Sequence, residues 1–201
     1  MTTKEKILNS SLNLFSTKGY KAVSVRDIAS DVGIKASSLY NHFESKQDIL
    51  DELIKLNINY VRDFLKEINL KKMIESETCS NAESFENNFI DVSLKIIRFF
   101  LENINVIKFR KILTIEQFNR PELAALYRKI FISDILEYES NLFDYLMKKN
   151  ILIKNDPYIL ALQFYSPIFL LLYNEEQINK EDYETIKKHI LQFKDTYIMK
   201  G

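Results

Sequence analysis

A single cysteine, three glycines, three prolines and no tryptophan in 201 residues set the first limits on this chain. With Cys79 alone no internal disulfide can form, which fits a reducing compartment. A redox role for that thiol would need a positive neighbourhood, which sequence does not show. The two histidines, His42 and His189, stand far apart, and with one cysteine they make no metal-ligand spacing. The glycines needed for a phosphate-cradling loop are missing. No catalytic set, metal or cofactor is therefore expected, and the chain does not read as an enzyme. Long apolar runs are lacking too. The longest, Tyr158 to Tyr173, is broken by Gln163, Ser166 and Pro167. It falls short of the roughly 20 residues that span a bilayer. The start, Met1-Thr-Thr-Lys-Glu-Lys, passes directly into an amphipathic pattern rather than a leader. A cytoplasmic protein without membrane contact is expected.

Hydrophobic residues make up 46% of the chain, enough for a sizeable core. The formal net charge is zero, but it is unevenly spread. Up to residue 46 there are seven positive residues (Lys4, Lys6, Lys18, Lys21, Arg26, Lys35, Lys46) and four negative ones (Glu5, Asp27, Asp31, Glu44). A mildly basic head on a mildly acidic body suits a protein that touches nucleic acid at one end.

The periodicity is helical throughout. No alternating strand pattern, repeat or low-complexity tract is visible, so the fold class is all-α with about nine helices. Helix starts are marked by an oxygen-bearing cap three residues before an acid: Thr2 with Glu5, Ser24 with Asp27, Ser45 with Asp48, Asn179 with Asp182. Asp156-Pro157 places a cap before a first-turn proline. These signals put helices over about residues 3–18, 46–70, 85–103, 105–118, 121–149, 157–173 and 181–198, besides two short ones near residues 25–43. Asn150 closes the helix before it. Glu75 to Ser84 reads as the one long polar loop. The domain reading is residues 1–47 as a helix-turn-helix head and residues 48–201 as a helical regulatory, ligand-binding and dimerisation body.

The most informative stretch runs from Ser24 to Phe43. Val25, Ile28, Ala29 and Val32 make one short apolar stripe, and Leu39, Tyr40 and Phe43 make another. Gly33 separates them, as in a helix-turn-helix whose second helix enters the major groove. The internal glycines are Gly19 and Gly33, both where a helix should stop. Residues 7 to 50 resemble the N-terminal domain of the TetR family of bacterial transcriptional regulators. The matching text is Ile7-Leu8, Leu14-Phe15, Gly19-Tyr20, Ser24 to Ala29, Val32-Gly33-Ile34, Ser38-Leu39-Tyr40, His42-Phe43, Ser45-Lys46 and Ile49-Leu50. Lys35 and Ser37 depart from the usual pattern, which has a serine cap and a smaller residue there.

Candidate phosphate contacts are Tyr40 and Lys46, whose phenol and ammonium can donate to phosphate oxygens. The resemblance implies the same roles, and it adds His42 near the backbone. Base readers should come from Lys35, Ala36, Ser37, Ser38 and Asn41, since lysine, serine and alanine each suit a base edge. Ser24 and Arg26 complete the set. The alternatives are a packed Tyr40, a solvated Lys46, an Arg26 paired within its own helix and a His42 that is only a satisfied surface residue.

Of 25 Phe and Tyr residues, 21 lie beyond residue 50. Such a body can pack a core or line an apolar pocket. The resemblance implies an effector pocket there and nominates Phe99, Phe100, Phe109, Leu113, Glu116, Tyr127, Phe131, Tyr165 and Phe169. One head offers too little contact for specific binding, so a homodimer is expected as well. Stripes at Tyr158, Leu162, Phe169 and Tyr173, and at Ile186, Ile190, Phe193 and Tyr197, are the candidate dimer surface, or else an ordinary core helix pair. The reading is a ligand-responsive repressor, dimeric on a palindromic operator in double-stranded DNA, released by a small hydrophobic or aromatic effector. The alternatives are a DNA binder controlled by a protein partner, and an all-helical enzyme or scaffold with a coincidental motif. Operator, regulated genes, effector identity and the sign of regulation are not legible.

Overall fold

A computed structural model describes residues 1–68, 82–174 and 179–199. Among these residues the chain is helical, with no strand beyond one isolated antiparallel bridge between Leu152 and Ile198. The helices are α1 (Thr3–Lys18), α2 (Val25–Val32), α3 (Ala36–Leu39), α4 (Lys46–Glu67), α5 (Ala82–Glu102), α6 (Ile104–Glu116), α7 (Pro121–Arg128), α8 (Asp134–Lys148), α9 (Pro157–Asn174) and α10 (Lys180–Tyr197). The stretch expected as one helix over residues 121–149 is α7 and α8 joined by a π-helical turn, Lys129–Ser133. Most of the expected Glu75–Ser84 loop, with Cys79, lies outside the described residues, and its last three residues already belong to α5.

The cap signals act as read. Thr2, Ser24 and Asn179 each close a reciprocal box with the acid three residues on. Ser45 Oγ accepts from the Asp48 amide at 3.1 Å, and Asp156 Oδ1 from the Ile159 amide at 2.9 Å. Each cap satisfies a backbone donor that the first helical turn leaves unpaired. Asn150 takes the left-handed conformation at φ 55.

By compactness the chain divides into two units. The first holds Met1–Phe64 and Ile104–Tyr127; the second holds Leu65–Asn103 and Arg128–Gly201. Packing across α1 draws α6 into the first unit. α1 packs on α6 as well as on α2. Ile7, Leu12 and Phe15 are buried, as are Phe109, Ile112 and Leu113 of α6. The helix-turn-helix thus rests on a scaffold helix about 90 residues away in sequence.

In the second unit the core is aromatic. Phe143 and Phe193 stack with ring centroids 5.3 Å apart, and Phe164 meets Phe193 edge-on at 4.8 Å. His189 Nε2 lies 2.8 Å from the Phe164 carbonyl oxygen, so the imidazole is satisfied inside the fold. The Tyr165 hydroxyl donates to the Phe131 carbonyl, in the π-helical turn, at 2.6 Å.

Candidate nucleic-acid interface

The turn between α2 and α3 is built by Gly33. Its φ of 78 and ψ of 34 are left-handed, and the amides of Gly33 and Ile34 return to the carbonyls of Ser30 and Ala29. That double closure ends α2 and redirects the chain within two residues. Ser10 Oγ donates to Asp31 Oδ2 at 2.6 Å and ties α2 to α1. Leu39 and Phe43 are buried and anchor α3 from below, where the apolar spacing placed them. α3 itself is only one turn long, shorter than the stripe from Leu39 to Phe43 suggested; Tyr40, Asn41 and His42 follow in a turn.

Because Leu39 and Phe43 hold the inner side, the outer side is left to the expected readers. Lys35, Ser37, Tyr40, Asn41 and His42 are exposed, and Ala36 and Ser38 half-buried. Tyr40 keeps 56% of its surface, which excludes the packed-aromatic alternative. Arg26 is exposed on α2. Ser24 is also exposed, but its hydroxyl donates to Asp27 Oδ2 at 2.7 Å and accepts from the Asp27 amide. That serine is a helix cap first. The hydrogen bonds from Ser24 hold the Asp27 carboxyl below the usual aspartate range.

Lys46 departs from expectation. It is half-buried, and its Nζ donates to the carbonyl oxygens of Tyr20 at 2.7 Å and Val23 at 2.6 Å. The ammonium also lies 4.2 Å from the centroid of the Tyr20 ring. Burial lowers its pKa, against the opposing charges of Glu116 and Asp27. It is neither a solvated lysine nor an outward cation.

Glu116, nominated for a pocket, is elsewhere in use. It is 3% exposed, and its Oε1 accepts from the Tyr20 amide at 2.9 Å. The other nominees divide. Phe109, Leu113 and Tyr127 belong to the first unit; Phe99, Phe100, Phe131, Tyr165 and Phe169 belong to the second. All but the half-buried Phe169 are closely covered, as aromatic residues on helices that must close a core are. Among the described residues, open grooves lie elsewhere. One, of about 360 Å³, lies along Leu136, Glu137, Ser140 and Tyr158; the other, of about 400 Å³, lies along Ile54, Ile58 and Arg62 of α4. Neither is lined by a residue nominated for the pocket, although Tyr158 was expected on the dimer surface.

The expected dimer stripes divide as well. Ile186, Ile190 and Phe193 are buried within the second unit. An amphipathic helix has one apolar face, and α10 spends it inward while Glu184, Lys188, Gln192 and Asp195 face out. Tyr197 is half-buried, its hydroxyl donating to Gln163 Oε1 at 2.7 Å. α9 keeps an uncovered face: Tyr158, Ile159, Leu170 and Tyr173 are 45–58% exposed, with Leu162 and Phe169 half-covered.

Among the described residues there is no cluster of three metal-ligating side chains, and no helix is long and apolar enough to cross a membrane.

Comparison with known proteins agrees with this geometry. The profile of bacterial regulatory proteins of the tetR family matches residues 7–53. The negative transcriptional regulator IcaR of the biofilm operon icaADBC in Staphylococcus aureus is 34% identical over 102 residues, 51% of this chain and 54% of IcaR. The chain thus spans about half the length of the curated relatives it matches. In three dimensions, a chain from Mesorhizobium loti assigned to the TetR-family regulators superposes with a TM-score of 0.70 at 17% identity, over 98% of this chain and 97% of its own. A regulator from Saccharomonospora viridis, solved in complex with choline, superposes at 0.65 and 18% identity over 98% of both. These two likenesses establish the fold.

Proposed function

We propose that this chain, a member of the TetR family of bacterial regulatory proteins by its N-terminal domain and its fold, is a dimeric repressor that places α3 of each protomer in a major groove. The observation that carries the reading is the exposed row Lys35, Ser37, Tyr40, Asn41 and His42, held outward over buried Leu39 and Phe43. Tyr40 and His42 contact phosphate and so position the head; Lys35, Ala36, Ser37, Ser38 and Asn41 meet base edges. Arg26 on α2 reaches the backbone or an edge. Residues 1–47 supply the contacts, and residues 48–201 supply support, dimerisation and regulation.

One α3 of four residues is a small reader. Single modules bury only roughly 600–1,000 Å² on DNA, so two heads are needed for specific binding. The uncovered face of α9 is the contact between copies. Two-fold pairing then demands a palindromic operator. IcaR, a negative regulator, supports the sign of control proposed here.

For release, the proposal is a small hydrophobic or aromatic effector bound in the body, more tightly to the conformation that does not fit DNA. The choline complex of the Saccharomonospora viridis regulator favours a cation among the classes to be screened. The test is electrophoretic mobility shift on duplex DNA, followed by thermal shift with quaternary ammonium, acyl and aromatic compounds. Salt-sensitive, sequence-selective binding supports the reading; absence of any DNA binding ends it.

A further inference from the structure

The main chain of Tyr20 is held at both of its polar ends by side chains from other helices. Its N–H donates to Glu116 Oε1 at the end of α6, and its C=O accepts a hydrogen bond from Lys46 Nζ at the start of α4. Lys46 also takes the Val23 carbonyl, so two of its three donors are used within the turn linking α1 to α2. The Tyr20 ring lies under Lys46 at 4.2 Å and Arg120 at 5.3 Å, and its hydroxyl donates to Gln47. Arg120 Nη2 donates to the same Gln47 oxygen. This turn sets where α2 begins, and through the Gly33 closure it sets where α3 lies.

On the DNA-binding reading above, we propose that Lys46 and Glu116 are positioning residues for the helix-turn-helix, clamping the α1–α2 turn through Tyr20, and that Lys46 is not a phosphate ligand. Geometry separates the two roles. Contact with a phosphate would have to use the one remaining Nζ donor of Lys46 and would release about one counterion from the DNA. Lys46 is engaged with two carbonyls and partly neutralised by the nearby Glu116. Glu116, buried beside the turn, holds the Tyr20 amide and faces the Lys46 ammonium with its charge.

The test uses wild-type chain and a duplex that the chain itself selects from a random-sequence pool. Lysines are acetylated with and without that duplex and quantified by mass spectrometry. Lys35 should react fast when free and slowly when bound, and Lys46 slowly in both. A Lys46 that reacts as fast as Lys35 and is protected by DNA overturns the positioning role. Lack of protection at Lys35, with DNA bound or not, instead counts against the interface reading, and the two failures are thereby distinguishable. Variants give the second readout. Lys46→Met and Glu116→Leu should weaken binding by about tenfold or more, since each removes a charge-assisted hydrogen bond. They should leave the slope of log affinity against log salt unchanged and speed hydrogen exchange of the Tyr20 amide. Glu116→Gln, which keeps an acceptor, should restore both. A slope reduced by about 0.9 in Lys46→Met is the loss of one phosphate contact and contradicts the proposal. If Lys46→Met fails to fold, the acetylation result and the Glu116→Gln and Glu116→Leu comparison still decide it.

Discussion

Single side chains in the head take one of two jobs, and exposure separates them. Tyr40, with 56% of its surface open, is free to meet a phosphate, whereas Lys46 is turned inward onto carbonyls. Tyr40→Phe should lower affinity for all sequences alike, by about 0.5–1.5 kcal/mol for one hydrogen bond. Lys35→Ala or Ser37→Ala should instead cost about 1–3 kcal/mol at one base pair and relax preference there. Titration against a panel of single-base variants checks both. A different residue effect is expected in the body. Glu139 has its pKa raised by burial. The folded chain therefore keeps the proton after the unfolded chain has lost it. The carboxyl's contribution is fully present below the unfolded value near 4.5 and is lost as pH rises from there through the folded value. Glu139→Gln should raise the melting temperature at neutral pH and flatten its fall between acid and neutral conditions, as scanning calorimetry can record.

At the scale of elements, α2 depends on its two ends. Asp27 is the opposite case to Glu139: its pKa is lowered, first by the Ser24 hydroxyl and then by the Ser24 amide. Its contribution is present above the ordinary aspartate value of 3.8 and is lost as pH falls through the folded value. Ser24→Ala should cost about 1 kcal/mol, as loss of a serine cap does. At the other end, a Cβ on Gly33 would meet nothing within 4 Å, so the cost of Gly33→Ala is backbone strain alone. About 1–2 kcal/mol is expected, with Gly33→Asn milder because asparagine tolerates left-handed angles. Denaturant titrations of the three variants give the order. These ends were legible in sequence because caps and left-handed glycines are local chemistry. The length of α3 was not, since apolar spacing over Leu39 to Phe43 is the same for a helix and for a helix that turns off at Tyr40. Nor was the inward turn of Lys46. Its partners, Tyr20 and Val23, are more than 20 residues away, and only the fold brings them together.

For the whole molecule, sequence separated a basic head from an aromatic body, while compactness assigns α6 to the head's unit. The reason is packing: α1 meets α6 as well as α2. The same bookkeeping relocates the proposed dimer contact. Phe193 and Ile190 already lie in the core of the second unit, so charges there should unfold it. Leu170→Glu or Ile159→Asp, on the open face of α9, should leave a folded chain that sediments as a monomer near 23.8 kDa and binds DNA weakly. Wild type should sediment at twice that mass.

The most direct test of the central claim is the sequence pattern that the wild-type chain enriches from a random duplex pool. Two α3 readers on a two-fold axis should enrich an inverted repeat whose half-sites stand about one helical turn, roughly 10 base pairs, apart or slightly more. Enrichment of a single unrepeated half-site, or of no pattern, would contradict it.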